Sequence, residues 1–568
     1  MSDHKKILIT SALPYCNNIP HLGNIIGSTL SGDVYSRFKK LQGHEVSYVC
    51  GTDCYGTTTE VKAQQEGTSC GNICEKFTAL HKQVYDWFNI DFTVWGQTNT
   101  LAQTEITHKI FIELFNNGYI EEKTITQMYC PKCDKFLADR YLKGTCYHLD
   151  CSGKSSITNG DQCDSCQKLI DVEQLINPYC YICKTQPFLK ETDHLYLRLD
   201  LLEGKINDYI FNNDKVKLND LSISITKTWL DKGLESRCIT RDLKWGTPVP
   251  YDYHEKLNKY KGKVFYVWFD APFGYYSILN NSSYLENYQD LEWVLCMGKD
   301  NIAFHTIFFP GSILGSGLPL PKPNKLNTTE YLNYEGQKFS KSNNIGIFGD
   351  QVANLSKELG INEDYWRFYL LKIRPEAHDS SFDWNEFINT CNSDLVNNIG
   401  NYINRCVSMT FKYLGPDDLS DYIANDYVMK SIEYIDEFNS QFEDFRFIKG
   451  LLQCVNLGTY GNQYLQLMKP WALAKNLEKN KSEINHILGS ANMIAYVLLR
   501  LLLPIIPGTA TRLLKLFTFS NKYESLQELV SNNNKIILDN TGYVLPFKPL
   551  DKDTVKETLG RLQIKSTL

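Results

Sequence analysis

At 568 residues the chain is too long for one hydrophobic core, and at roughly 100–200 residues per domain it predicts about three to five units. A hydrophobic content of 43% with 22% charged residues excludes a disordered or fibrous polymer. A formal net charge of −6 argues against a protein that coats nucleic acid non-specifically, while leaving room for local basic patches. The longest apolar stretch, Ile494 to Pro507, carries Arg500 in its middle and falls short of the roughly 20 residues that cross a bilayer, so no membrane span is expected. The amino terminus has only Ile7, Leu8 and Ile9 as an apolar run, which predicts neither a secretory signal nor an arginine-rich transit peptide.

In chain order, KKILITSA at 5–12 predicts a short buried strand that breaks at Pro14. A turn containing His21-Leu22-Gly23-Asn24 then opens into Ile25, Ile26, Leu30, Val34 and Phe38, which have helical period. Strand, turn and helix form the first unit of a doubly wound sheet, with phosphates expected at the helix amino terminus. A second strand is expected at Glu45–Cys50, leading into Gly51-Thr52-Asp53.

Eight of the 18 cysteines then fall between Cys130 and Cys183, as four pairs: Cys130/Cys133, Cys146/Cys151, Cys163/Cys166 and Cys180/Cys183. A C-x2-C turn sets two thiolates at the separation of two vertices of a tetrahedral zinc site. Four pairs therefore predict one or two structural zinc ions without an open coordination position. Spacing leaves sequential and interleaved pairing both possible. It also leaves open whether His148, inside the irregular second pair, replaces Cys146 or Cys151.

Lys263–Asp270 and Leu291–Cys296 again have the composition of strands, so the α/β unit resumes after the cysteine segment. From about residue 390, Leu395, Ile399, Ile403 and Cys406 recur at helical spacing, and a helical bundle is expected, with strand signals nearly absent until Ile536-Ile537-Leu538. Lys338-Phe339-Ser340-Lys341-Ser342 follows Gly336 in a polar loop. Paired lysines in such a loop are usually solvated surface, but opposite a histidine loop in an α/β fold they form a cationic clamp for polyphosphate charge.

These two motifs, in this order and across an interrupted nucleotide-binding fold, resemble the HIGH and KMSKS signatures of class I aminoacyl-tRNA synthetases. The runs SALPY at 11–15, GTDCYGT at 51–57, VWFDAPFGY at 267–275 and GKDNIAFH at 298–305 look like the methionyl members. The cysteine segment resembles the two-knuckle insert of the archaeal and eukaryotic branch, which implies interleaved pairing. The fold implied is an α/β Rossmann-type doubly wound parallel sheet with a zinc-knuckle insertion, followed by an all-α helical bundle. Expected boundaries are 1–122 and 246–325 for the two catalytic halves, 123–245 for the insertion, 326–390 for the KMSKS-loop and stem-contact region, and 391–568 for an anticodon-binding domain.

The reaction implied joins L-methionine to ATP, taken with Mg2+, and transfers the methionyl group to tRNA(Met). By motif match, His21, Gly23, Asn24, Lys338 and Lys341 would hold the triphosphate; Asp300 falls near the ribose and Arg241 near the active centre. Asn24 stands where the signature has a second histidine and carries no charge. Ala12, Leu13, Tyr15, Trp268, Ala271, Pro272, Tyr275, Phe304 and His305 would shape the pocket for the methionine side chain, with Asp53 pairing the α-ammonium group. A thioether offers little to hydrogen-bond, so sulfur–aromatic contacts suit its selection. Asn401, Arg405 and Trp471 match anticodon readers, the first two lying on one helix face and the tryptophan free to stack on a base.

Valyl, leucyl or isoleucyl enzymes are the nearest alternative, but residues 120–245 are too short and cysteine-rich for their editing domain. A catalytically inactive, zinc-stabilised tRNA-binding paralogue is the other. A cytoplasmic monomer is expected, with an accessory tRNA-binding protein as one source of further tRNA affinity.

Overall fold

Lys6–Ser11 (β1) is buried at five of its six positions, as befits a parallel strand covered on both faces. It lies at the centre of a five-stranded sheet with Glu45–Thr52 (β2), Val94–Gln97 (β3), Glu292–Gly298 (β4) and Lys325–Thr329 (β5). The order is β5–β4–β1–β2–β3, and every pairing is parallel. Ile9 sits between Tyr48 and Val294. The chain winds from β1 outward to β3, then returns to the other side of β1 for β4 and β5. Strand order thus reverses between β1 and β4, and a cleft opens there at the carboxyl ends. The computed structural model describes residues 4–568 apart from 138–140, 150, 152–156, 161–162, 164–165, 167, 169, 281–283, 286–288, 342–344, 416–424, 520–522, 533–535 and 540–541.

The expected strands near residues 5–12, 45–50 and 291–296 are present. The strand expected over 263–270 is not. Only Val264–Phe265 is extended, paired with Thr240–Arg241, and Val267–Asp270 is a helical turn running into a 3-10 turn with a proline in its first two positions. Its aromatic and β-branched residues have strand composition, but their burial comes from packing around a cleft. β3 and β5 were not foreseen. β3 has only half-buried residues, and β5 straddles the boundary expected at residue 325.

Between β3 and β4, Ile120–Cys130 and Phe188–Leu197 run antiparallel from Ile120 opposite Leu197 to Tyr129 opposite Phe188. The distal end of this ribbon carries the cysteine pairs, Cys130 at the end of its first strand and Cys180 at the end of a strand of a small three-stranded sheet. The carboxyl-terminal half is helical, its long members being Asp426–Glu443, Phe447–Met468 and Leu477–Leu502. Leu395, Ile399, Ile403 and Cys406 are buried at its core as expected. Phe517–Phe519 pairs with Ile536–Leu538 beside it.

Buried cations join the two halves, Arg367 among them. Arg367 pairs with Asp33 at 2.7 Å and donates to the carbonyls of Phe88, Pro504 and Ile505. With both side chains removed from solvent, each depends on the other for compensation. Among the described residues no helix is long and apolar enough to cross a membrane.

Candidate active site and thiol clusters

A cavity of about 520 Å³ opens at the carboxyl ends of the strands. All ten residues expected around the methionine group line it, as do His21, Gly23, Asn24 and Asp300. Ala12, Leu13 and Tyr15 lie beyond β1, and Asp53 beyond β2. The loops bearing Tyr15 and Asp53 are tied together: Asp53 N–H donates to the Pro14 carbonyl at 2.8 Å, and Cys16 N–H to the Asp53 carbonyl at 3.1 Å. The turn after Phe265 delivers Trp268, whose indole N–H donates to the Cys238 carbonyl at 3.1 Å.

His305 follows β4 on a π-helical turn, Phe304–Phe308. Its Nδ1 is 2.8 Å from the Asn301 carbonyl and its Nε2 is 2.9 Å from the Tyr275 hydroxyl. Burial pushes its pKa down to about 4, so the ring is neutral. A carbonyl only accepts, so Nδ1 carries the proton and Nε2 accepts from Tyr275. The pocket floor therefore holds no net charge, an environment suited to an uncharged side chain.

Asp53 is 4% exposed. Burial, and then the neighbouring Asp270, hold its carboxyl well above the usual range. Asp270 is itself pushed up to about 7 by burial. It accepts from the Thr247 hydroxyl at 2.5 Å, while its Oδ1 is buried without a hydrogen-bond partner. Asp53 forms no ion pair among the described residues, so a ligand cation would supply the charge this corner lacks.

On the opposite wall His21 caps the helix that begins at Leu22. Its Nδ1 accepts from Asn24 N–H, and the Asn24 amide oxygen accepts from His21 N–H, both at 3.2 Å. Burial lowers its pKa to about 4; with Nδ1 accepting, the neutral ring carries its proton on Nε2. A Cβ on Gly23 would lie 3.0 Å from the His21 ring and 3.3 Å from the Leu332 carbonyl, so a side chain there would displace the imidazole.

The lysine loop faces this histidine. Phe339 stacks on His21 with centroids 4.3 Å apart and planes within 4°. Lys338 Nζ lies 5.8 Å from the ring of Tyr331, a cavity residue, and Lys341 Nζ lies 5.8 Å from that of Phe348, which packs edge-on to His21. Neither lysine is in an ion pair among the described residues. Ser342 lies outside them. Asp300 accepts from the Tyr331 hydroxyl. Arg241 is not brought to the cavity: its guanidinium lies 3.6 Å over Tyr266 and donates to its neighbour Thr240's carbonyl.

The knuckle thiols gather as Cys130, Cys133, Cys180 and Cys183, and as Cys146, Cys151, Cys163 and Cys166, each set within 4.8 Å. This is the interleaved grouping. Sγ separations include 3.4 and 3.8 Å in the first set and 3.7 and 3.9 Å in the second. A tetrahedron of 2.3 Å zinc–sulfur bonds has edges of roughly 3.8 Å, so both sets fit zinc. The second set has four sulfurs without His148, whose Nδ1 is 3.2 Å from Cys146 Sγ and positioned beside the set.

In the helical half, Arg405 lies 5.3 Å over the Trp471 ring and donates to Asn462 at 3.1 Å. Asn401 is exposed one turn earlier on the same helix, Asn401–Tyr413. Sequence reasoning missed Asp270, Tyr331, Phe339 and Phe348 as site residues. Asp270 and Phe339 lay within runs already singled out, but nothing in their spacing announced the contacts they make.

A parallel sheet with a histidine-capped helix and a lysine loop meeting across its switch point is the arrangement of a class I aminoacyl-tRNA synthetase. A family model described as tRNA synthetases class I (M) matches residues 7–407. The methionine–tRNA ligase of Acanthamoeba polyphaga mimivirus is 50% identical over 559 residues, covering 97% of this chain and 99% of that protein. The cytoplasmic methionine–tRNA ligase of Caenorhabditis elegans is 44% identical over 515 residues, 89% of this chain and 55% of that one. A solved Mycobacterium tuberculosis methionyl-tRNA synthetase, in complex with methionyl-adenylate, shares the fold with a TM-score of 0.75 at 20% identity, covering 96% of this chain and 99% of that one. The chain belongs to the methionyl-tRNA synthetase family of class I.

Proposed function

We propose that the protein is a methionine–tRNA ligase, which condenses methionine with ATP to methionyl-adenylate and pyrophosphate and then esterifies the terminal ribose of tRNA(Met). The observation that carries this reading is one cavity that joins a buried carboxyl without an ion pair, an uncharged aromatic pocket and His21, on which Phe339 of the lysine loop stacks. Asp53 would take the α-ammonium group, while Trp268, Tyr275, Phe304 and the neutral His305 enclose the thioether. The methionine carboxylate is already a nucleophile, so alignment and charge stabilisation at the α-phosphorus suffice.

The Nε2–H of His21 would donate to phosphate oxygens, with Lys338 and Lys341 neutralising charge on the departing pyrophosphate. Asn24 uses its oxygen on the helix cap, and its amide N–H remains for the phosphates. Asp300 would meet the ribose. Bound Mg2+ would neutralise further phosphate charge. Zinc in the two thiol sets would hold the insertion's shape and take no part in the chemistry.

In this reading residues 1–122 and 246–325 form the catalytic unit, 123–245 the insertion, 326–390 the lysine-loop region and 391–568 the anticodon-binding part, with Asn401, Arg405 and Trp471 reading bases. Cysteines without a disulfide among the described residues, and relatives named as cytoplasmic, support a cytosolic setting. Pyrophosphate exchange into ATP tests the core of the proposal. Exchange is expected with methionine and is refuted by its absence, or by a preference for valine, leucine or isoleucine.

A further inference from the structure

Behind the Asp53 wall of the cavity lies a third thiol cluster. Cys16, Cys54 and Cys74 have their sulfurs within 4.8 Å of one another and no solvent exposure. Cys16 Sγ and Cys54 Sγ are 3.6 Å apart, and Cys74 Sγ donates to the Cys54 carbonyl at 3.4 Å. The hydroxyls of Thr52 and Thr78 stand 3.7 and 3.8 Å from the Cys54 and Cys16 sulfurs. The remaining packing is apolar, from Ala63, Ile73 and Phe77.

The distances resemble those of the knuckles, but the donor set does not. Among the described residues no fourth histidine, cysteine or carboxylate joins the group, and a structural zinc site requires four ligands. Three thiolates around a divalent ion would also leave one net negative charge in a dry pocket beside Asp53 and Asp270, two carboxyls that burial already holds toward their protonated forms. Neutral thiols carry no such cost, and neither does a disulfide.

We infer that Cys16 and Cys54 form a peroxide-sensitive site whose oxidation to a disulfide withdraws the methionine-binding loops from their working positions. Each cysteine directly follows a cavity residue, Tyr15 or Asp53, and the two loops are already hydrogen-bonded through Cys16 N–H and the Asp53 carbonyl. A disulfide has sulfurs roughly 2.05 Å apart, so closure draws the two side chains together by about 1.5 Å. Rotamer changes absorb part of this, and the backbone carrying Tyr15 and Asp53 moves with the rest.

The Cys54 thiol is the one poised to ionise, because hydrogen bonds to its sulfur, first from the Cys16 thiol and also from the Thr52 hydroxyl, hold its pKa below the usual thiol range and offset the cost of a transient charge in this pocket. Its thiolate attacks one peroxide oxygen to give a sulfenic acid and hydroxide. The Cys16 sulfur then displaces hydroxide from it, and the two protons released by the thiols leave with these as water. Two sulfurs are oxidised and one peroxide is reduced to two waters.

The functional consequence rests on the proposed methionine site, so the test has a readout independent of activity. The full chain is treated with stoichiometric hydrogen peroxide, its remaining thiols are alkylated, and its peptides are weighed. Methionine-dependent pyrophosphate exchange and zinc release are followed in parallel. A Cys16–Cys54 linkage is expected, together with a roughly tenfold or greater rise in the methionine KM that dithiothreitol reverses without zinc release. Cys16→Ser and Cys54→Ser proteins should keep their exchange activity in peroxide.

Absence of the linkage, a third bound zinc in the untreated protein, or variants as peroxide-sensitive as the parent would overturn the inference. If neither variant folds, the linkage and its reversal in the parent chain decide it. Untreated protein without exchange activity would instead sink the proposed function, leaving the linkage assay to judge the thiol pair.

Discussion

Replacing Asp53 by Asn removes one charge and almost no volume from a position that is 4% exposed. In the proposed complex that charge faces the methionine ammonium group, and truncating one partner of a buried charge pair costs roughly 2–5 kcal/mol. At 1.4 kcal/mol per decade this corresponds to about 30-fold to several thousandfold in the methionine KM. The empty-site carboxyl, held up by burial and Asp270, must first ionise, which consumes part of the pairing energy in the parent protein. The lower end of the range, about 30- to 300-fold, is therefore expected.

The pH dependence has the same origin. Binding an ammonium group lowers the Asp53 pKa, so association releases a proton and kcat/KM for methionine rises with pH until Asp53 is ionised in the free protein. The rise should vanish in Asp53→Asn. Steady-state pyrophosphate exchange between pH 6 and 9 measures both effects. A KM within about threefold of the parent, in a variant with an unchanged unfolding midpoint, would refute the assignment of Asp53.

Asp270→Asn should move the parent's pH rise downward by removing the carboxyl that opposes Asp53 ionisation. Because burial raises the Asp270 pKa from its ordinary 3.8 to about 7, the folded state holds a proton that the unfolded chain releases in between. Stability contributed by Asp270 is thus greatest at low pH and declines between about pH 4 and 7, and thermal unfolding of the variant should lack that slope. Lys341→Ala should lower kcat for exchange about 100-fold, as expected for loss of one charge-stabilising donor, while leaving the methionine KM within about threefold; a change confined to KM would place the lysine outside the reaction. Trp471→Ala should reduce kcat/KM for tRNA charging by roughly 5- to 150-fold, the worth of one stacked base, with exchange unaffected; equal losses in both assays indicate a folding defect. Cys163→Ser should reduce zinc from about two ions per chain to about one by elemental analysis; loss of both would show that the knuckles do not bind independently.

Much of the architecture was legible because it rests on local chemistry. The apolar run at 6–11, the glycine turn and the periodic helix after it identify a βα unit on their own, and the cysteine spacing announces thiol sets that could hold a metal. The same local reasoning failed at 263–270, where aromatic content signalled a strand but the chain turns to carry Trp268 into the cleft. It missed β3, whose four half-buried residues give no alternation to read. Arg241, drawn in by a motif match, instead packs over Tyr266 outside the cavity.

The sequence alone determined the βα unit around β1, the cysteine pairs and the helical second half, since turns, periodicity and ligand spacing act over a few residues. Which groups meet was a matter for the tertiary structure. Asp53 beside Asp270, His21 against Phe339, and the three thiols behind the pocket are contacts between distant segments. Their protonation states follow from burial and neighbouring charge, quantities that exist only once the sheet has brought those segments together.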